Sequence, residues 1–171
     1  MMTLLWCIMV IVNAEIGLSM QNYYTLNPES EISLDKESKG EKIFLKHADE
    51  CLSMIETSAR GVPMTGVAMI AYIPGTATSQ WISKMKVVGK LADEKVNLLG
   101  IVYSKAAEMA VTLKDSGINE RKEIRGEYGY EGGIIAMVGD GYLLAAFSGG
   151  KSADDVAAAR KGLDWLVTKF H

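Results

Sequence analysis

A three-residue turn, Gly139-Asp140-Gly141, constrains the fold of this chain more than any other feature. Apolar runs of strand length flank it on both sides, at Gly133–Val138 and at residues 142–147. Asp-Gly between two such runs is a strong short-range signal for a β-hairpin, because both residues tolerate the positive φ angles of a tight turn. The C-terminal third of the chain is therefore predicted to contain an antiparallel pair of strands.

A second pair of strands is predicted upstream of the first. Residues 66–73 form a continuous apolar run of strand length, which the turn dipeptide Pro74-Gly75 ends. Residues 80–88 then alternate between apolar and polar side chains, which is the period of a half-buried strand. We expect these two segments to pair as an antiparallel hairpin.

Two segments carry the apolar period of an amphipathic helix. The first spans residues 41–60, with Gly61 as its stop, and it places Cys51 on the core side. The second spans residues 98–116, with Gly117 as its stop. The apolar stripe of the first consists of Phe44, Ala48, Cys51 and Ile55, widened by Leu45, Leu52 and Ala59, and that of the second of Val102, Ala106, Met109, Ala110 and Leu113.

A third helix is predicted to start after Ser152 and to continue almost to the C-terminus. Ser152 and Asp155 have the spacing of a capping box, with Asp in the place of Glu. Asp154 and Asp155 also suit the positive end of a helix dipole. The core stripe of this helix consists of Val156, Ala159, Leu163, Leu166, Val167 and Phe170.

These elements follow the order α-β-β-α-β-β-α, with a charged loop at residues 118–130. Hairpins that alternate with helices indicate an α+β domain with a mainly antiparallel sheet. The chain has 171 residues, of which 49% are hydrophobic and 23% charged, and these values are typical of one globular domain.

Composition argues against several classes of function. The net charge is −3 and aromatic residues make up 8% of the chain, so the sequence offers no basic surface with stacking side chains for nucleic acid. The two cysteines form no C-x-x-C motif, and the two histidines are His47 and His171. These counts exclude a disulfide framework and a His-rich zinc site.

The N-terminus has the pattern of a secretion signal. Residues 4–12 are nine consecutive apolar residues. A membrane span needs about 20 such residues, whereas the core of a signal peptide has about 7–15. Ala14 and Ser19 mark two candidate cleavage sites. A buried N-terminal strand or helix is the alternative.

We therefore predict a signal peptide at residues 1–19 and a polar leader at residues 20–40, with a short strand at residues 23–26. The folded domain would span residues 41–171. The mature protein would be exported to the periplasm or to the outside of the cell, and it would contain no membrane span.

Four residues between the last strand and the last helix form the first candidate binding site: Ser148, Gly149, Gly150 and Lys151. Glycines let a ligand approach the backbone, and the free N–H groups of a helix N-terminus favour a carboxylate or a phosphate. A nucleotide-binding P-loop is excluded, because Ala145 stands where that motif needs glycine. The alternative is a plain glycine turn.

A second candidate site opens the third strand. Tyr128 and Tyr130 could stack on a flat ligand or bind iron, and Gly132 and Gly133 could allow close approach of the ligand to the backbone. The alternative is a flexible start of the strand without a ligand.

A third candidate site lies on the second helix, at Tyr103, Lys105 and Glu108. Lys105 and Glu108 are three residues apart and share a face, so together they could present a cation and a carboxylate to a ligand. The alternative is an exposed ion pair.

Iron ligation and catalysis have weaker signals. His47, at the edge of the first helix's stripe, is a further candidate iron ligand beside Tyr128 and Tyr130, although such a residue is more typical of a surface. Ser148 has no G-x-S-x-G motif around it, and Cys51 lies on the core side. We assign no catalytic residue.

Three stretches of the chain together match a family pattern: Ser104-Lys105-Ala106-Ala107, Glu131-Gly132-Gly133-Ile134 through Gly139-Asp140-Gly141, and Phe147-Ser148-Gly149-Gly150 with Asp154-Asp155. On these stretches, the sequence from about residue 41 to the C-terminus resembles the GlcG/HbpS family, which is also named for a haem-degrading or corrinoid-enzyme (PduO) C-terminal-like domain. The resemblance implies a profilin- or PAS-like antiparallel sheet of about five strands flanked by helices, homo-oligomers and a haem ligand.

Three hypotheses for function follow. The first is an exported protein that binds haem or a related tetrapyrrole, with Lys105 or Lys151 paired to propionates and Tyr128 or Tyr130 against the ring. The second is an enzyme or enzyme subunit that acts on a small carboxylate, with Glu108 or Glu131 as acid or base. The third is a structural homo-oligomer without a ligand.

Overall fold

The computed structural model describes residues 38–171, and the order of their elements agrees with the sequence prediction. The predicted signal peptide, most of the polar leader and the strand at residues 23–26 lie outside this part of the chain. The elements are α1 (Lys39–Gly61), β1 (Gly66–Pro74), β2 (Ile82–Val88), α2 (Leu98–Thr112), β3 (Gly133–Val138), β4 (Gly141–Ser148) and α3 (Ser152–Val167).

The four strands of residues 38–171 form one antiparallel sheet in the order β2-β1-β4-β3. Both predicted hairpins, β1–β2 and β3–β4, are present. β1 and β4 join them at the centre, from Val67 opposite Ser148 to Pro74 opposite Gly141. The prediction of an antiparallel α+β fold with about five strands is consistent with this sheet.

Both faces of the sheet are covered by helices, which makes three layers. In β1, Ala68, Ile70 and Tyr72 face α1 and α3, whereas the alternate residues Val67 and Met69 face α2. Strands buried on both faces read as continuous apolar runs, and this explains residues 66–73. Each helix buries one side, and none in residues 38–171 is long and apolar enough to span a bilayer.

Helix α1 begins two residues earlier than the predicted Glu41, because Ser38 is its N-cap. The Ser38 backbone N–H donates to the Glu41 carboxylate at 2.7 Å, and the Glu41 N–H donates to Ser38 Oγ at 3.1 Å. Ser38-x-x-Glu41 is the sequence signature of a capping box. The start of this helix could therefore have been predicted from the sequence, but this signal was missed. Cys51 is fully buried, as its stripe predicts.

Helix α2 ends at Thr112 rather than at the predicted residue 116. Leu113 adopts a left-handed conformation with φ of 53°, which turns the chain toward β3. Asp115 Oδ1 then accepts from the Ile135 N–H at 2.9 Å, and the Ser116 N–H donates to the Gly133 carbonyl at 3.1 Å. These contacts along the outer edge of β3 decide where the helix ends.

The predicted cap of the third helix is wrong. Ser152 is already helical, and the N-cap is Lys151, whose side chain makes no capping hydrogen bond. The Asp155 carboxylate turns away from the Ser152 backbone because it accepts from the Gly150 N–H at 2.8 Å and pairs with Lys105. The first turn of α3 is therefore left without a side-chain acceptor.

Candidate functional site

A cavity of about 350 Å³ opens at one end of the sheet, where α2 faces the turn between β4 and α3. Its volume is at the small end of the roughly 300–1,000 Å³ typical of small-molecule sites. The connection from β2 to α2 forms one wall, and the segment before β3 forms another. The side chains of Val96, Leu98 and Ile101 supply an apolar surface.

A buried ion pair lies in the wall of this cavity. Lys105 Nζ is 2.8 Å from Asp155 Oδ2 and also donates to the Phe147 carbonyl at 2.7 Å. The two side chains are only 3% and 5% exposed. The pair joins α2 to α3 across the end of the sheet. Sequence reasoning had offered a ligand contact or an exposed pair with Glu108 and missed Asp155 as the partner.

Burial lowers the pKa of the Lys105 ammonium, and the charge of Asp155 and its hydrogen bond oppose that shift. The desolvation of the ammonium is the larger effect. With both oxygens of Asp155 already bonded, to Lys105 and to Gly150, the pair is an integral part of the wall.

Ser148 is a buried polar residue of the cavity whose hydroxyl has unused hydrogen-bonding capacity. It is 3% exposed, and its hydroxyl has no hydrogen-bond partner within residues 38–171. Among the described residues, no fully buried polar side-chain atom lacks a partner, so the Ser148 hydroxyl keeps its small accessible area toward the cavity that it lines. An acceptor or donor inside the cavity would complete its bonding.

Gly149 has a packing role behind Ser148. A Cβ at Gly149 would overlap the backbone of Thr65, where the start of β1 approaches the end of β4. Gly150 also lines the cavity, and a Cβ there would meet the Met64 sulfur. The position of these two glycines therefore fits both alternatives, a ligand-binding loop and a plain glycine turn.

The N-terminus of α3 borders the same cavity. The first N–H groups of any helix lack intrahelical acceptors, and Lys151 provides no side-chain cap. Ser152, in the first turn, lines the cavity. Lys151 itself is exposed and lies just outside the lining residues. This arrangement favours a negatively charged group.

Of the four predicted residues before and at the start of β3, only one lines the cavity. Tyr130 lines the rim of the cavity and stacks on Tyr128, with ring centroids 5.7 Å apart, while Tyr128 lies outside. Gly132, with φ of +122°, packs against Lys105 and Asp155, where a Cβ would overlap the ammonium. Gly133 donates its N–H to Ser116 Oγ at 2.9 Å. Both glycines therefore support the wall from behind.

Three other predicted residues lie away from the cavity. Glu108 is buried and accepts from the Gly117 N–H at 3.0 Å and from the Asn119 side-chain amide at 2.6 Å, which anchors the loop after α2. Tyr103 packs on the core between α2 and the sheet. His47 lies on α1, on the other face of the sheet, with its ring edge-on to Trp165 at 5.8 Å.

Sequence reasoning also missed part of the cavity wall. Lys90 and Asp93 line it from the connection between β2 and α2, and they pair with each other at 3.0 Å. That connection carries no motif. Its role depends on the four strands placing their ends together, which no local pattern specifies.

The side chains that could bind a metal give limited support for an iron site. In residues 38–171, no group of three or more His, Cys, Asp or Glu side chains is arranged to hold a metal ion. Haem iron needs only one or two protein ligands, and tyrosine is one of the known kinds. Tyr130 is the candidate iron ligand that lines the cavity, whereas Tyr128 and His47 do not.

A scan against protein-family models, a search of curated proteins and a search of solved structures find no match to this chain. The resemblance to the GlcG/HbpS family therefore stays a prediction from the sequence.

Proposed function

We propose that this chain binds a small organic ligand with an anionic group, in the cavity at the end of the sheet. One observation carries the proposal: Ser148 is 3% exposed, and its hydroxyl, which makes no hydrogen bond within residues 38–171, keeps its accessible area beside the uncapped N-terminus of α3. A carboxylate there would accept hydrogen bonds from both. The body of the ligand would lie on Val96, Leu98 and Ile101.

A matched pair of ligands tests this proposal. Calorimetric titration of the full chain with 4-methylpentanoate should give saturable binding, and 4-methylpentanamide, of the same shape but uncharged, should bind at least about tenfold more weakly. Ser148→Ala should weaken binding of the acid about 10- to 100-fold, because a hydrogen bond to a charged group is lost.

Ser53→Ala on α1 is the matched control, since Ser53 lies on the other side of the sheet. Equal affinity for acid and amide, or equal effects of the two serine substitutions, would contradict the proposal.

Haem or a related tetrapyrrole is a second candidate, which the position of Tyr130 at the rim favours. Tyr130 would hold the iron, and the propionates would reach the N-terminus of α3 and Lys151. When bound, the haem would supply an iron with an open coordination position. A cavity of about 350 Å³ would enclose only part of such a ring.

Titration of the full chain with hemin, followed at the Soret band, tests this candidate. A stoichiometric shift that Tyr130→Phe abolishes, and that Tyr128→Phe and His47→Ala retain, is the expected result. A featureless titration, equal to that of an unrelated acidic protein, rules out haem.

The two other hypotheses make different predictions. An enzyme acting on a small carboxylate would use Glu131, which lines the cavity, rather than Glu108, which holds the loop. A structural homo-oligomer would lose assembly in Gly149→Val without any effect on a ligand. Export and homo-oligomer formation likewise remain proposals from the sequence.

A further inference from the structure

The charged groups around the cavity are mostly neutralised by one another. Lys105 pairs with Asp155 at 2.8 Å, and Lys90 pairs with Asp93 at 3.0 Å. The remaining lining charge is the carboxylate of Glu131, which makes no ion pair or hydrogen bond with any residue of the described range 38–171. The cavity therefore carries one negative group that the protein leaves uncompensated.

The cavity thus presents two poles of opposite sign. The Ser148 hydroxyl and the N-terminus of α3 suit an anion, whereas Glu131 suits a cation. Both poles line the same cavity of about 350 Å³, so one small molecule can meet both. Glu131 is exposed and lines the same cavity, so its negative charge would repel a ligand with a carboxylate alone, and this selects against simple acids.

We infer that the ligand is a zwitterion of the size of an aliphatic α-amino acid, with its carboxylate at Ser148 and the α3 N-terminus and its ammonium at Glu131. The aliphatic wall of Val96, Leu98 and Ile101 would receive the side chain. This inference rests on the proposed function, since it uses the same anion-binding pole, and it adds a second recognition group.

Three ligands of one shape separate the two poles. L-leucine carries both charges, 4-methylpentanoate lacks the ammonium, and 3-methylbutylamine lacks the carboxylate. In calorimetric titrations of the full chain, L-leucine should bind at least about tenfold more tightly than either of the others, because each lacks one charge-assisted contact.

Substitutions then assign each pole to a residue. Glu131→Gln should weaken the binding of L-leucine about tenfold or more. It should leave the binding of 4-methylpentanoate unchanged or make it tighter. Ser148→Ala should weaken both. Glu120→Gln is the matched control, because this exposed carboxylate belongs to the same loop region and lies outside the cavity.

The outcomes distinguish this inference from the proposed function. If 4-methylpentanoate binds as tightly as L-leucine and Ser148→Ala weakens both, the zwitterion is wrong and the anion site stands. The same holds if Glu131→Gln and Glu120→Gln have equal effects on L-leucine. If neither L-leucine nor 4-methylpentanoate binds and hemin gives a featureless titration, both proposals fail.

Discussion

At the scale of single residues, Lys105 and Asp155 depend on each other. Both side chains are almost completely removed from water, and each is the other's counter-charge. Loss of one partner from such a pair leaves a buried charge unpaired, which costs about 3–5 kcal/mol, whereas an apolar pair of similar volume is often tolerated.

We therefore expect Lys105→Met to lower the free energy of unfolding by about 3–5 kcal/mol in urea denaturation. The double variant Lys105→Met with Asp155→Leu should lose less free energy of unfolding than the two single variants lose together, because it leaves no buried charge unpaired. Lys90→Met, which breaks the exposed pair with Asp93, is the control and should cost about 0–1 kcal/mol. Equal losses from Lys90→Met and Lys105→Met would disprove this account.

The alkaline stability of the fold has a residue-scale cause. Burial raises the pKa of the Cys51 thiol to about 12. Burial, with the hydrogen bond to Asp140, likewise raises the pKa of Tyr72 to about 12. The folded chain thus keeps both protons at pH values where the unfolded chain releases them. Their contribution to stability is complete below about pH 9 and is lost as the pH rises toward 12.

The free energy of unfolding should therefore fall with pH above about 9, and Cys51→Ala should make that fall shallower by up to about 1.4 kcal/mol per pH unit. Urea unfolding under reducing conditions at several pH values between 8 and 11 measures the slope. Ser53→Ala, on the same helix, should keep the slope of the parent protein. An identical slope in Cys51→Ala would show that this thiol does not contribute.

At the scale of elements, the backbones of β1 and β4 approach each other closely at the end of their pairing, beside the cavity. A Cβ at Gly66 would overlap the Ser148 carbonyl, and one at Gly149 would overlap the Thr65 carbonyl. Both overlaps involve backbone atoms, which cannot move aside as the end of a flexible side chain can. The two glycines therefore set where Ser148 lies.

Gly66→Ala should lower the free energy of unfolding by at least about 1–3 kcal/mol, the usual cost of overpacking. Gly61→Ala is its matched control, because nothing lies within 4 Å of the added Cβ at the end of α1. That change should instead raise stability by about 0.4–1 kcal/mol. Thermal and urea unfolding compare the two, and a neutral Gly66→Ala would contradict this close backbone approach.

Most of the elements could be predicted from local patterns, and their ends could not. The Gly139-Asp140-Gly141 turn and the flanking apolar runs identify the β3–β4 hairpin, since turn chemistry and strand period are local properties. The end of α2 at Thr112 depends instead on the bonds from Asp115 and Ser116 to β3. The apolar period of the sequence continues past that point.

At the scale of the whole molecule, the outer edge of β3 is protected by the segment after α2. Asp115 accepts from the Ile135 N–H, and Ser116 bonds to both backbone groups of Gly133. Edge strands with free backbone groups pair readily with other chains. This cover limits association through β3, a strand without a charged residue.

Asp115→Ala should free the Ile135 N–H and increase concentration-dependent association, which sedimentation velocity over a range of concentrations measures. Arg160→Ala is the control, since it removes only the 3.9 Å ion pair of Arg160 with Asp115 and keeps the edge covered. Equal association of the two variants would show that the edge bond does not control assembly.

The sequence by itself determined the order of the elements, both hairpins, the buried side of α1 and the glycine turn before α3. Each of these follows from periodicity or turn chemistry within a few residues. Only the tertiary structure decided that Lys105 pairs with Asp155, that Glu108 holds a loop, and that Lys90, Glu131 and Ser148 surround one cavity. Those contacts join residues far apart in the chain, and they arise from the strand order β2-β1-β4-β3, which no local pattern specifies.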